Sequence, residues 1–368
     1  MANEIDVRLD RGEYVGGDTL YGSVYLRIQQ QLSSSTLKLV IRGLHTCKYG
    51  YKYLEQGEEE GDFTSRVGQR NMIKDIIKQE IVIGEGLFPI GCYAYPFKYQ
   101  LPHSLPGSFV VQYEDMDSSK SWEGVVQYSV SAVLTSGSPH NKISKESRMV
   151  VYDSIECRSS EAAPQPLMAH GSVRTFFCLT RGTVNVTCSL QHTAFTPSSK
   201  IILSLKIKND SSVDVSGYTV NLLRVVKLQA LDRMRDEEEL STHNILTTVL
   251  ESEGRGCPHN NNISHDVELN LTAAQNIQSV GVPPNTSSSL VKCNYVIDVN
   301  VHVPWGPDIE LRQPLLIKAA DNDNWKSWTP PSWIEQCVKA RTSGITSVSD
   351  NLLNSQIFSG IPGFRPEL

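Results

Sequence analysis

Apolar residues recur at every second position along most of this chain. The clearest run is Val291, Cys293, Tyr295, Ile297, Val299, Val301 and Val303, seven apolar side chains at strict period two. A strand points successive side chains to opposite faces, so all seven share one face of an extended segment. Ile201, Leu203, Leu205 and Ile207 behave alike and stop at Asn209-Asp210-Ser211-Ser212, a turn signal. Tyr218, Val220, Leu222, Val226, Leu228 and Ala230 repeat the pattern, with Arg224 breaking it. In the first half, Leu20, Gly22, Val24, Leu26 and Ile28 lie on one face. Leu37, Leu39 and Ile41 form another strand, ended by Gly43, and Val126, Tyr128, Val130, Ala132 and Leu134 a third. Arg70 to Ile83 reads either as a short helix or, through Ile81-Val82-Ile83, as a strand. Little helix is expected overall.

The segment from Leu87 to Phe109 adds a second kind of signal. Pro96, Pro102 and Pro106 cannot donate backbone hydrogen bonds, which bars them from a central strand or a helix interior. Tyr95, Phe97, Tyr99 and Leu101 alternate along the same stretch. Together these predict an edge-type strand that turns at Leu101-Pro102 and again at Leu105-Pro106. Many strands of similar length separated by turns predict an all-β chain of antiparallel sandwiches. A small, polar, Pro-containing stretch interrupts the alternation near the middle, and the alternation ends near Asp321. The expected organisation is a sandwich over residues 1–157, a linker over 158–168, a second sandwich over 169–320, and a partly disordered tail over 321–368.

Composition narrows the function classes. The chain has 368 residues, a formal net charge of -6 and 20% charged residues. An acidic balance argues against nonspecific nucleic-acid binding, which needs a basic footprint. No apolar run approaches the ~20 residues that span a bilayer. The opening Met1-Ala2-Asn3-Glu4-Ile5-Asp6 lacks the regions of a signal peptide. A cytoplasmic protein is therefore expected. Its eight scattered cysteines contain no Cys-x-x-Cys pair and read as reduced core residues. Asn185, Asn209, Asn262, Asn270 and Asn285 each open a glycosylation triplet by chance. Cys257-Pro258-His259 and Cys178, Cys188 and His192 lack the paired spacing of zinc ligands. No nucleophile elbow, phosphate-cradling loop or His-Glu-x-x-His helix occurs. No enzyme, metal or cofactor is expected.

Several motifs, in order, resemble the arrestin superfamily, above all the alpha-arrestins. Tyr14-Val15-Gly16-Gly17-Asp18 followed by Leu20-Tyr21-Gly22-Ser23-Val24 is similar to the arrestin opening. Leu37 to Gly43, Tyr95 to Phe109 and Tyr128-Ser129-Val130-Ser131-Ala132 resemble later strands of its N-terminal domain. Phe195 to Asn209, Val282-Pro283-Pro284, Tyr295 to Val301 and Asp308 to Ile317 resemble its C-terminal domain. The resemblance spans roughly residues 5 to 320. It implies two immunoglobulin-like sandwiches in tandem and a binding activity rather than chemistry. It also implies an adaptor for membrane-protein cargo tails, linked to endocytic sorting, trafficking proteins or a ubiquitin ligase. Recruitment to the plasma membrane or endosomes by peripheral association follows. The alternative is a scaffold of the same fold that works without a ligase. The chain departs from the family in having no Pro-Pro-x-Tyr: Thr329-Pro330-Pro331-Ser332-Trp333 carries Trp instead of Tyr. The buried charge cluster of the visual and beta arrestins has no counterpart that the sequence places.

The tail holds three of the five tryptophans within nine residues. Trp325, Trp328, Pro330, Pro331 and Trp333 are the candidate partner-binding residues, because Trp anchors dominate interfaces and Pro lowers the ordering cost. The competing reading folds this segment back so that its rings fill a groove on the C-terminal sandwich. The acidic runs Glu58 to Asp62 and Asp236 to Glu239 read as solvated loops. Lys38, Arg42, Lys206 and Lys208 point outward from strands, as an ordinary polar face or an anion-binding one.

Overall fold

The computed structural model describes residues 2–56, 63–153, 165–175, 179–231, 240–277, 282–304, 306–318, 329, 332–334 and 336–337. Both acidic runs, Cys157, Cys178, Trp325, Trp328, Pro330 and Pro331 lie outside the described residues.

The alternating pattern folds as strands throughout. The first half contains β1 (Glu4–Leu9), β2 (Glu13–Val15), β3 (Thr19–Ile28), β4 (Leu32–Gln56), β5 (Phe63–Phe88), β6 (Gly91–Gln100), β7 (Phe109–Tyr113), β8 (Trp122–Ser136) and β9 (Ser138–Tyr152). A three-stranded sheet, ordered β1-β3-β6, faces a six-stranded sheet ordered β2-β9-β8-β4-β5 with β7 beside β8. The second half contains β10 (Leu167–Thr175), β11 (Leu179–Leu190), β12 (Ala194–Phe195), β13 (Lys200–Ser211), β14 (Gly217–Leu231), β15 (Leu240–Arg255), β16 (Asn261–Asn270), β17 (Thr286–Ser287), β18 (Val291–His302) and β19 (Ile309–Ile317). Its sheets run β10-β11-β13-β16 and β12-β19-β18-β14-β15, with β17 beside β18. The one described α-helix, α1, is the short turn Leu271–Ile277. This is a tandem of two β-sandwiches. Among the described residues only the short pairs β2–β9 and β12–β19 are parallel.

Period two sets the core. Val291, Cys293, Tyr295, Ile297, Val299 and Val301 are all fully buried along β18, as are Ile201, Leu203 and Leu205 along β13. The proline-bearing strand is β6, an edge of its sheet, with Phe97 and Leu101 buried. The Tyr14-to-Asp18 motif is a tight turn. Gly17 takes φ +94°, which favours glycine. The Asp18 amide donates to the Val15 carbonyl (2.9 Å), and its carboxylate accepts from the Val15 amide (2.9 Å) and from Arg11 (2.8 Å).

Three local expectations change. Arg70 to Ile83 is strand, part of β5. This edge strand exposes most side chains on both faces, so neither period was legible. Gly43 does not end its strand. β4 runs on to Gln56, and the absent side chain makes room for the Tyr128 ring. Asn209 does not open a turn in solvent. It is fully buried inside β13, and its carboxamide ties the following chain together. Asn285 is buried too, so neither of these two triplets presents a sugar acceptor.

Candidate functional site

The two sandwiches meet along β14 and β18 of the second and β4, β5 and β8 of the first. Arg224 occupies an inward position of β14 and is 2% exposed. Its guanidinium lies 6.0 Å from the Trp122 ring of β8 and hydrogen-bonds to Tyr295. The Tyr295 hydroxyl donates onward to the Pro283 carbonyl (2.7 Å). Beside this network Thr286 donates to the Gly107 carbonyl (2.6 Å), fastening the C-terminal sandwich to the N-terminal one. Asn285 accepts from the Ile317 amide (2.8 Å) and donates to the Leu315 carbonyl (3.2 Å). A shallow cleft between the halves is lined by Ser108, Asp153, Asn285 and Lys318, among others. The sequence reading took Arg224 as a break in a strand. The signal was its parity: it falls in phase with the buried positions on either side.

A second contact across the junction is aromatic. Tyr49 of β4 stacks on His243 of β15, with ring centroids 5.0 Å apart. The Tyr49 hydroxyl donates to the Ser241 carbonyl (3.3 Å), and Arg70 to the Ser241 hydroxyl (2.7 Å). Burial pushes the His243 pKa down, and burial with Lys74 does the same to His45. In the unfolded chain both rings take up protons near pH 6.5; in the folded chain they do so only at lower pH. Stability is therefore complete above pH 6.5 and falls as pH drops through that value toward the folded pKa values. Urea midpoints are expected to decline between pH 7.5 and 5.5. The decline should be smaller in His45→Leu combined with His243→Phe. An equal decline in that variant would remove these rings from the account.

The tail returns to the N-terminal sandwich. Trp333 is 8% exposed and Cys337 fully buried, and both pack with Ile334 on Tyr25 of β3 and on Cys92 and Ala94 of β6. The Gln336 amide donates to the Trp333 carbonyl (3.1 Å), closing a turn. The fold-back expected on the C-terminal sandwich is thus found on the N-terminal one. The seat is one face of the β3–β6 pair, where Tyr25 and Ala94 are cross-strand partners and Cys92 lies two residues along the same strand. Of the candidate residues, the structure describes Trp333 alone, and it is covered by Tyr25 rather than displayed.

The third feature is a projecting ribbon. β8 pairs with β4 only as far as Tyr49, and beyond it β4 and β5 continue as a two-stranded ribbon whose base is held by the Gly50 amide donating to the Ser121 carbonyl (3.0 Å) and by Lys52 pairing with Asp117 (2.8 Å). Leu54, Phe63, Val67, Ile73, Val82 and Leu87 are six of the eleven exposed large apolar residues found among the described ones, and all six sit on β4 or β5. Tyr51 and Tyr53 lie on the opposite face of the ribbon from Leu54, Phe63 and Val67, and the Arg70 guanidinium covers the Tyr51 ring at 4.1 Å.

Other sequence candidates have plain structural roles. Lys38 pairs with Glu80 (3.3 Å), Arg42 with Asp75 (2.6 Å) and Lys208 with Asp210 (2.7 Å), so these cations are matched on an exposed sheet face. The Cys257 thiol donates to the Asn261 carbonyl (3.3 Å), while His259 pairs with Asp214 (2.7 Å). Among the described residues no three His, Cys, Asp or Glu side chains converge as a metal site would need. No helix among them is long and apolar enough to cross a membrane.

Two β-sandwiches in tandem, fastened by polar contacts at their junction, make an arrestin-type fold. The family comparison agrees. Residues 4–154 match the Arrestin (or S-antigen), N-terminal domain family, and residues 180–320 match the Arrestin (or S-antigen), C-terminal domain family. The chain belongs to the arrestin superfamily, close to the alpha-arrestins. It is 20% identical to human Arrestin domain-containing protein 5 over 84% of its own length and 86% of that protein. It is 23% identical to Arrestin domain-containing protein A of Dictyostelium discoideum over 57% of its length and 35% of that protein. It is 22% identical to human Arrestin domain-containing protein 4 over 83% and 68%.

Proposed function

We propose that this chain is a non-enzymatic arrestin-like adaptor of the cytoplasm. It binds membrane-protein cargo tails and links them to endocytic sorting or ubiquitination machinery at the plasma membrane or endosomes. The observation that carries this reading is the ribbon of β4 and β5, whose apolar and aromatic end reaches past the sheet. Exposed apolar residues grouped on one element mark an interaction surface, whereas scattered ones do not. Trp325, Trp328, Pro330, Pro331 and Trp333 then serve a second partner once the tail leaves its seat.

Proximity labelling in cells tests this, comparing the full chain with Leu54→Asp/Phe63→Asp. Both sites are exposed, so the variant is expected to keep its melting temperature and lose labelled transporters and receptors. A wild-type profile without membrane or trafficking proteins would overturn the reading. A second reading, a scaffold that recruits no ligase, is favoured by one contact. Trp333, which stands where the family's recruiting motif has Tyr, is covered by Tyr25. Trafficking proteins labelled without any ubiquitin ligase would select that version.

A further inference from the structure

Cys92 and Cys337 are some 245 positions apart in sequence and meet in the structure. Cys337 sits in the tail turn at 0% exposure, where its thiol hydrogen-bonds with that of Cys92 and faces the backbone of Leu26 and Tyr93. It also donates to the Trp333 carbonyl (3.6 Å). Cys92, on the edge strand β6, is only half-buried, and its thiol donates to the Gln336 side-chain carbonyl (3.7 Å). Trp333, Ile334, Tyr25 and Ala94 enclose the pair. Both thiols are reduced in the structure.

We propose that Cys92 and Cys337 are a reversible disulfide site, which peroxide closes to bolt the tail turn onto the N-terminal sandwich. The assignment does not depend on the adaptor reading. The Cys92 thiolate attacks the peroxide oxygen, forming a sulfenic acid and releasing hydroxide. The Cys337 sulfur then attacks that sulfenic sulfur, forming the S–S bond as a second hydroxide leaves. With the two thiol protons the balance is two thiols and one hydrogen peroxide giving one disulfide and two waters. The order follows from access. Cys337 is fully buried and Cys92 only half-buried, so soluble peroxide reaches Cys92 first and Cys337, already in contact with it, serves as the resolving partner. A dithiol reductant reverses the bond by exchange. While it holds, Trp333 stays on Tyr25.

The test uses the full chain, treated with hydrogen peroxide, alkylated with N-ethylmaleimide and mapped by mass spectrometry without reduction. The expected product is one cross-linked peptide pair holding Cys92 and Cys337, lighter by two hydrogens and released by dithiothreitol. Two fewer cysteines should be alkylated. Cys92→Ala and Cys337→Ala should each abolish it, and a melting curve for each variant shows whether it remains folded. Hydrogen exchange over residues 332–337 should slow at least tenfold on oxidation of the wild type. Cys92 recovered as sulfinic acid or paired elsewhere, with Cys337 still alkylated, overturns the proposal. So does a cross-link that leaves exchange in the tail turn unchanged.

Discussion

Replacing Arg224 with alanine is expected to cost about 4 kcal/mol, the range for emptying a large buried site and orphaning its polar partner. The melting temperature should fall by roughly 10 °C. The stem of this side chain is 2% exposed along the inner face of β14, and its head bridges Trp122 of one sandwich and Tyr295 of the other. Alanine leaves a cavity at the junction and removes a donor from the Tyr295 oxygen. Methionine at the same position keeps most of the volume and avoids desolvating a charge. Apolar replacement of buried ions is often nearly neutral, so Arg224→Met should lose only about 1 kcal/mol. Urea denaturation of the three proteins distinguishes the terms. Equal small losses in both variants would mean that the guanidinium is hydrated and bridges nothing.

Asn209→Ala is expected to cost about as much, for a different reason. The two N–H groups of the carboxamide are shared among the carbonyls of Val213 (2.8 Å), Cys257 (3.1 Å) and Pro258 (3.1 Å), and its oxygen accepts from the Ser211 amide (3.1 Å). Each buried group left without a partner costs about 1–3 kcal/mol, and water reaches some of them. A net loss of about 4 kcal/mol is the balance. Asn209→Asp should be no better, since a carboxylate cannot donate to three carbonyls and carries a charge into the core. Thermal melts at pH 7.5 settle the point. A loss under about 1 kcal/mol in Asn209→Ala would show that the turn after β13 is held by other groups.

The fold was legible where one strand face is buried and the other wet. β13 follows its alternation residue by residue and β18 does so except at buried Asp298, and Pro96 marks β6 as an edge. Legibility failed where the physics is less binary. β5 exposes both faces, so its sequence shows no clean period. Asn209 and Arg224 are polar residues at buried parity, where hydrogen bonding overrides polarity, and only their phase within the strand betrays it. The tail is the hardest case. That Trp333 is sheltered was readable as one alternative, but not which sandwich shelters it. Nothing local in sequence links Cys337 to Cys92 across the whole chain, because that contact depends on how both halves close.

The apolar interior does not stop at the junction. Residues of both sandwiches, from Val7 to Ile317, form one contiguous buried cluster. Heat that loosens one half therefore also exposes apolar surface that the other half covers. Calorimetry is expected to show a single peak, and two separate peaks would mean that the shared core does not couple the halves. In that respect the two halves share one apolar interior, and their unfolding is expected to be coupled.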